Sequence, residues 1–164
     1  MVKIKKRTLK KIFDEEEYLD VTYNKDLREY LKKYDGKKGF KNCGVIMRNE
    51  VTKLKIHDKM FVIVNYDSTD QSGSHWIVLI KNENKVYHFG NFGVPPLHEI
   101  KGHFSQFPLY YNDGAVQLTG TSICGHLCLA FIEHMLLTNK TFYQFLSEAL
   151  LYSNRYKNES ETGS

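Results

Sequence analysis

Between Val116 and Phe131 the sequence changes abruptly, from the polar, glycine-containing stretch Val116-Gln117-Leu118-Thr119-Gly120-Thr121-Ser122 to an apolar run that continues to Leu137. Such a junction reads as a loop entering a buried helix, around which the rest of a small chain must pack. Ser122 suits the N-cap, and Cys124, Leu127, Cys128, Phe131 and Met135 recur at spacings of three and four along one helical face. The pattern predicts a helix over residues 123–137 with Cys124 in its first turn. There the partial positive charge of the helix N-terminus favours thiolate over thiol, and thiolate is the nucleophilic form. Gly125, next in sequence, lets backbone or substrate come close. A cysteine on an apolar helix is by default a small buried hydrophobe, which describes Cys128. Cys124 departs from that default: it stands at the loop–helix junction, precedes a glycine and follows Gln117 by seven positions.

A chain of 164 residues with 41% hydrophobic content supports one well-packed domain, expected over 1–157, with the polar end 158–164 as a frayed tail. No apolar run approaches the roughly 20 residues needed to span a bilayer, and Met1–Arg7 lacks the apolar core of a secretory signal. A soluble, intracellular, non-membrane protein is expected. The three cysteines do not make a disulfide framework, so free thiols in a reducing compartment are the default. The formal charge of +4 is uneven, because six Lys or Arg fall in the first 12 residues, ahead of the acidic Asp14-Glu15-Glu16-Glu17 run. A basic arm of this kind is either solvated or makes weak, non-specific contact with nucleic acid.

In chain order, residues 9–33 read as helical and stop at Asp35-Gly36, and 37–51 as a loop with room for a short strand or helix. Lys59–Tyr66, His75–Ile80 and Lys85–Phe89 read as strands, the last two joined by a turn at Asn82-Glu83-Asn84 and antiparallel. Gly90–Pro96 ends the third strand. A short helix is expected within 97–107, brief extended pieces at 109–111 and 115–117, and a final helix over 141–156. Strands grouped together, with helices segregated at either end, predict an α+β domain whose central, mostly antiparallel sheet is flanked by helices.

A nucleophilic cysteine needs an imidazole to take its proton, a third group to orient that imidazole, and donors for the oxyanion. His75 opens a strand after a glycine-containing loop, where a side chain can face a cleft while Trp76 packs below. His57, His98, His103, His126 and His134 have no comparable context. Gln117 could supply one oxyanion donor through its side-chain amide and the Cys124 N–H another.

Taken together, Gly73-Ser74-His75-Trp76, the strand end Phe89-x-x-Phe92-Gly93 with Pro95-Pro96, and Gln117-x6-Cys124-Gly125-x-x-Cys128 with Phe131 resemble the adenovirus-type (adenain-like) maturation cysteine proteases. That family includes virophage and Polinton-like relatives and is more distantly similar to SUMO-specific proteases. The resemblance runs from about Lys38 to Met135. It implies a papain-like α+β fold with Cys124 as nucleophile, His75 as general base and Gln117 as oxyanion donor, and no metal or cofactor. Trp76 and Gly125 would line the substrate cleft. It also implies processing of viral capsid and core precursors after glycine, in a virion or infected cell, by a monomer. Adenovirus enzymes are stimulated by DNA and by a viral peptide. The cysteine that would be disulfide-linked to the peptide has no counterpart here, Cys43 lying in the wrong region.

One position departs from the family pattern. Where relatives carry the acid that orients the histidine, this chain has Gly90. Asn91 is either the replacement, its amide oxygen accepting from the imidazole, or a plain turn residue. Three other readings stay open: a SUMO- or ubiquitin-like processing enzyme, a catalytically impaired binding protein on the same fold, and a metal module using Cys124, His126, Cys128 and His134. The last conflicts with helical geometry, which scatters positions i, i+2 and i+4 around the axis.

Overall fold

The computed structural model describes residues 24–66, 75–115 and 124–151. The expected helical stretch over 9–23, Gly73-Ser74, Gln117, the Ser122 cap, most of the 115–117 piece and everything beyond 151, including the 158–164 tail, lie outside them.

Three apolar strands make the centre: β2 (Lys59–Asn65), β3 (Trp76–Asn82) and β4 (Lys85–Gly90). Their near-continuous apolar runs lack the alternation of a half-solvated strand, and such strands are covered on both faces. That is the outcome. Period-two geometry sends Phe61, Ile63, Trp76, Val78, Ile80 and Phe89 to one face, and Met60, Val62, Val64, Ile77, Leu79 and Val86 to the other, each set within its own buried cluster. The hairpin β3–β4 closes with a two-residue loop, Asn82 pairing with Lys85, and Glu83 takes the positive φ of 57° that so tight a turn demands.

The sheet order is β1-β2-β3-β4-β5. Its three central strands are antiparallel, whereas the edge strands β1 (Lys41–Met47) and β5 (Leu109–Tyr111) pair parallel to β2 and β4. Residues 41–47, within the stretch read from sequence as a loop with room for a short strand or helix, are a seven-residue strand. The misleading signal was Asn42 and Gly44, which form a bulge: the register shifts between Asn42 and Val45, Gly44 has φ of 80°, and its N–H donates to the Asn42 side chain.

Helix α1 (Asn24–Leu31) runs into a 3-10 turn at Lys32–Tyr34 and stops at Gly36, whose φ is 81°. Helix α2 (His98–His103) covers the second sheet face through Ile100. Helix α3 (Cys124–Leu137) covers the first, and every residue from Cys124 to Glu133 is buried, as an apolar circumference requires. A fourth helix, α4 (142–151), begins with a reciprocal cap in which Thr141 Oγ1 accepts from Gln144 N–H and Gln144 Oε1 accepts from Thr141 N–H. Phe131 of α3 stacks on Phe89 at 5.0 Å and meets Phe145 edge-on at 5.2 Å, locking α3 and α4 to the sheet. Among the described residues no helix is long and apolar enough to cross a membrane.

Candidate active site

Cys124, the expected nucleophile, lies against the start of β3, the strand that His75, the expected base, immediately precedes. Cys124 is the first described residue of α3, and its Sγ lies 3.7 Å from the carbonyl oxygen of Trp76, the residue after His75. Cys128, one turn further along, directs its Sγ at the same oxygen from 3.7 Å. Burial raises the Cys128 thiol well above its usual range, and the neighbouring Cys124 adds to the effect, so Cys128 stays a neutral thiol under the nucleophile. Trp76 is 2% exposed and its indole N–H donates to Asn24 Oδ1 at 2.7 Å. What Trp76 presents to the cysteines is its main-chain oxygen, while its ring is packed in the core. Asn65 Nδ2 donates to the same Asn24 oxygen at 3.0 Å, which ties α1 to the strand ends that carry the site. Gly125 is buried in the first turn of α3.

Asn91 is fully buried just past β4, and its Nδ2 donates to the Cys124 carbonyl at 3.2 Å. Its Oδ1 is buried and accepts no hydrogen bond from the described residues, His75 included. Gly90, at the position of the family's acid, is held through both of its main-chain groups by Asn112: Gly90 N–H donates to Oδ1 at 3.0 Å, and Asn112 Nδ2 donates to Gly90 O at 2.6 Å. A second bond from Asn112 Nδ2 reaches Gly114 O at 3.1 Å, so this buried asparagine fastens the 90–93 turn to the segment that leads toward Gln117. The two segments touch closely. A Cβ on Gly93, already at φ of 67°, would lie 2.6 Å from the Gly114 carbonyl carbon, so a glycine is required there.

His75 is half-buried between aromatic rings, with Phe92 stacked on it at 4.8 Å and Tyr66 tilted against it at 5.3 Å. Beneath them is a residue that the sequence reading passed over. His88 on β4 is completely buried, with Nε2 3.0 Å from the Tyr66 hydroxyl. Burial, helped by the nearby His75, lowers its pKa to about 4, and burial likewise raises the Tyr66 phenol to about 12, so both are neutral at physiological pH. The strand pattern held the signal: in Val86-Tyr87-His88-Phe89, His88 shares a face with Val86 and so points away from α3.

This burial has a consequence in acid. The folded protein refuses a proton at His88 down to about pH 4, whereas the unfolded chain accepts one near 6.5. The unfolded state binds more protons throughout that window. Stability is therefore fully present above about pH 6.5 and falls as pH drops toward 4, by on the order of 3 kcal/mol. Urea unfolding of wild type and His88→Phe at neutral pH and at about pH 4.5 checks this: the loss should be smaller in the variant, and equal losses would place the acid sensitivity elsewhere.

Among the described residues no three of His, Cys, Asp and Glu come together as a metal site. His134, one of the residues in the metal reading, has Nε2 3.3 Å from the Thr141 carbonyl.

The mixed sheet packed on a buried helix is similar in fold to a viral cysteine protease. The ASFV pS273R protease superimposes with a TM-score of 0.52 at 14% identity, over 82% of this chain and 65% of that one. A selenomethionine form of the same protease gives 0.50 at 15% identity, over 79% and 64%. The SUMO protease Ulp1 with its catalytic cysteine oxidized to a sulfenic acid gives 0.44 at 14% identity, over 96% and 84%. The chain thus spans just under two thirds of the ASFV protease. No family model matches the sequence, and no curated protein matches it. At these identities the likeness is one of fold, and the adenovirus-type grouping rests on the motifs alone.

Proposed function

We propose that the protein is a cysteine endopeptidase that matures viral capsid and core precursors by cleaving after glycine. The observation that carries this reading is the placement of Cys124 at the start of a buried helix, its sulfur against the main chain of the residue after His75, within a cysteine-protease fold. In the mechanism, His75 takes the Sγ proton and the thiolate adds to the scissile carbonyl carbon. The resulting oxyanion is received by the Cys124 N–H and the Gln117 side-chain amide. His75 then returns the proton to the leaving amine, and water, deprotonated by His75, hydrolyses the thioester and frees the thiol. Asn91 is assigned as the partner of the imidazole N–H; its buried Oδ1 has no hydrogen bond to His75 or to any other described residue in this structure, so the assignment requires the ring to turn toward it. Trp76 and Gly125, expected to line the cleft, are both buried, and Trp76 reaches the cysteines only through its main-chain oxygen.

A protease of ASFV among the similar folds supports the viral setting; a monomeric enzyme acting in the virion and the infected cell belongs to the same reading. The basic arm within the first 12 residues supports weak, non-specific DNA contact, and a peptide activator belongs to the same reading.

Alkylation tests the chemistry before any substrate is known. At about pH 6, iodoacetamide should modify Cys124 at least tenfold faster than a free peptide thiol, and His75→Ala should abolish the difference. A Cys124 no faster than the peptide would remove the activated pair and leave a binding protein on a protease fold. Peptides carrying Gly-Gly, Gly-Ala or Leu-Ala at the cut test specificity, since equal cleavage of all three would end the glycine preference.

A further inference from the structure

A ladder register and a turn converge on His75. In the β2–β3 ladder Asn65 pairs with Trp76, so one step on Tyr66 stands opposite His75, and the Tyr66 N–H donates to the His75 carbonyl at 2.9 Å. The β3–β4 ladder ends with Ile77 paired to Gly90, and the turn that follows, closed by Gly93 N–H donating to Gly90 O at 3.1 Å, brings Phe92 onto His75 from the other side. Phe92 lies nearly parallel to the imidazole, 13° between planes, and Tyr66 is tilted by 52°. Tyr66 is itself fixed, because its hydroxyl meets Nε2 of the buried His88.

We infer that Tyr66 and Phe92 are positioning residues for His75, a clamp of two aromatic rings that fixes the plane of the imidazole and favours its protonated form. The inference rests on the assignment of His75 as the base. Stacking restrains the ring against tipping but not against turning in its own plane, the freedom an acceptor such as Asn91 restrains. The negative face of an arene attracts an imidazolium more than a neutral imidazole, so the clamp shifts the Cys124–His75 pair toward thiolate and imidazolium. Charge from other elements leaves this role open. His88, below on β4, is neutral. Arg48 and Glu99, which both act on Tyr66, lie 3.9 Å apart and offset one another. The Cys124 thiolate, from α3, favours the imidazolium as the rings do.

The test reads the titration of the His75 ring C–H resonance, assigned by its absence in His75→Gln, in a Cys124→Ala background that removes the thiolate partner. Phe92→Leu should lower the midpoint by about half a pH unit or more, and Phe92→Tyr should leave it at the value of the background protein. With Cys124 restored, Phe92→Leu should slow alkylation at neutral pH and kcat by about threefold or more, with the larger loss of kcat on the alkaline side of the profile where the imidazolium is lost first, and Phe92→Tyr should not. Phe92 is half-buried, and Phe92→Met serves if the leucine variant does not fold. An unmoved midpoint in a folded Phe92→Leu or Phe92→Met protein overturns the clamp. Because the midpoint is read without the nucleophile, that outcome is distinct from failure of the protease assignment, which the alkylation of Cys124 decides.

Discussion

Cys124→Ala and His75→Ala should each remove essentially all peptide hydrolysis, a loss of about 10⁴-fold or more in kcat, and the double variant should be no slower than either single one. The thiol is a nucleophile only after His75 has taken its proton, and His75 has nothing to activate once the sulfur is gone, so the two losses are one loss counted twice. Independent contributions would instead multiply. The site tolerates the first change structurally: removing Sγ from Cys124 leaves the Trp76 carbonyl with the Cys128 thiol still directed at it. Melting temperature near that of wild type, alongside absent turnover, is the expected pair of results. Substantial cleavage by Cys124→Ala would end the cysteine-protease reading, and a double variant far slower than both singles would show that the two side chains do not act on one step.

Asn91→Ala should lower kcat/KM by about ten- to a thousandfold, less than loss of His75, because a mis-set imidazole is partly recoverable. It should also destabilise the fold by about 1–3 kcal/mol, since the lost amide leaves buried polar groups without their partner. These effects arise at different atoms. Nδ2 is spent on the Cys124 carbonyl, whereas Oδ1 is the open acceptor. Asn91→Asp keeps the acceptor and discards the donor, so it should share the instability of Asn91→Ala but retain distinctly more activity above the pH at which the carboxylate ionises. An aspartate variant as slow as the alanine one would transfer the role of Asn91 from orienting the imidazole to anchoring the nucleophile. Gly90→Asp complements this test. A side chain at 90 would point toward Ile77 and His88, 3.1 Å from Ile77 Cγ2, so it fits only if Ile77 gives by a few tenths of an ångström.

Position 41–47 shows how far local sequence reaches. The central strands and the buried helix were legible because burial on both faces of a sheet, or all round a helix, writes itself into the identity of nearly every residue. The edge strand was not. It is held by pairing with β2, and a bulge built on Asn42 and Gly44 broke the pattern that period-two reading needs. Helix α4 and its reciprocal Thr141–Gln144 cap belong with the legible elements, since that signal is complete within four residues.

At the site the division is similar. Cys124 was singled out by a helix N-terminus and His75 by a strand start, both local features, and the ordered motifs connected them. Phe92, Tyr66 and His88 acquired a place only when the ladders and the turn after β4 fixed which residues stand abreast, a relation between segments that no single strand encodes. Asn112, which fastens Gly90 and Gly114 from 22 residues beyond Gly90, was equally invisible, because a lone asparagine after a short edge strand carries no periodic signal. The sequence by itself determined most of the elements that form and singled out Cys124 and His75 as the pair to test, since propensity and burial act residue by residue. Only the tertiary structure decided which rings flank His75 and which side chain bonds the Cys124 carbonyl, because those contacts depend on register and packing between segments distant in the chain.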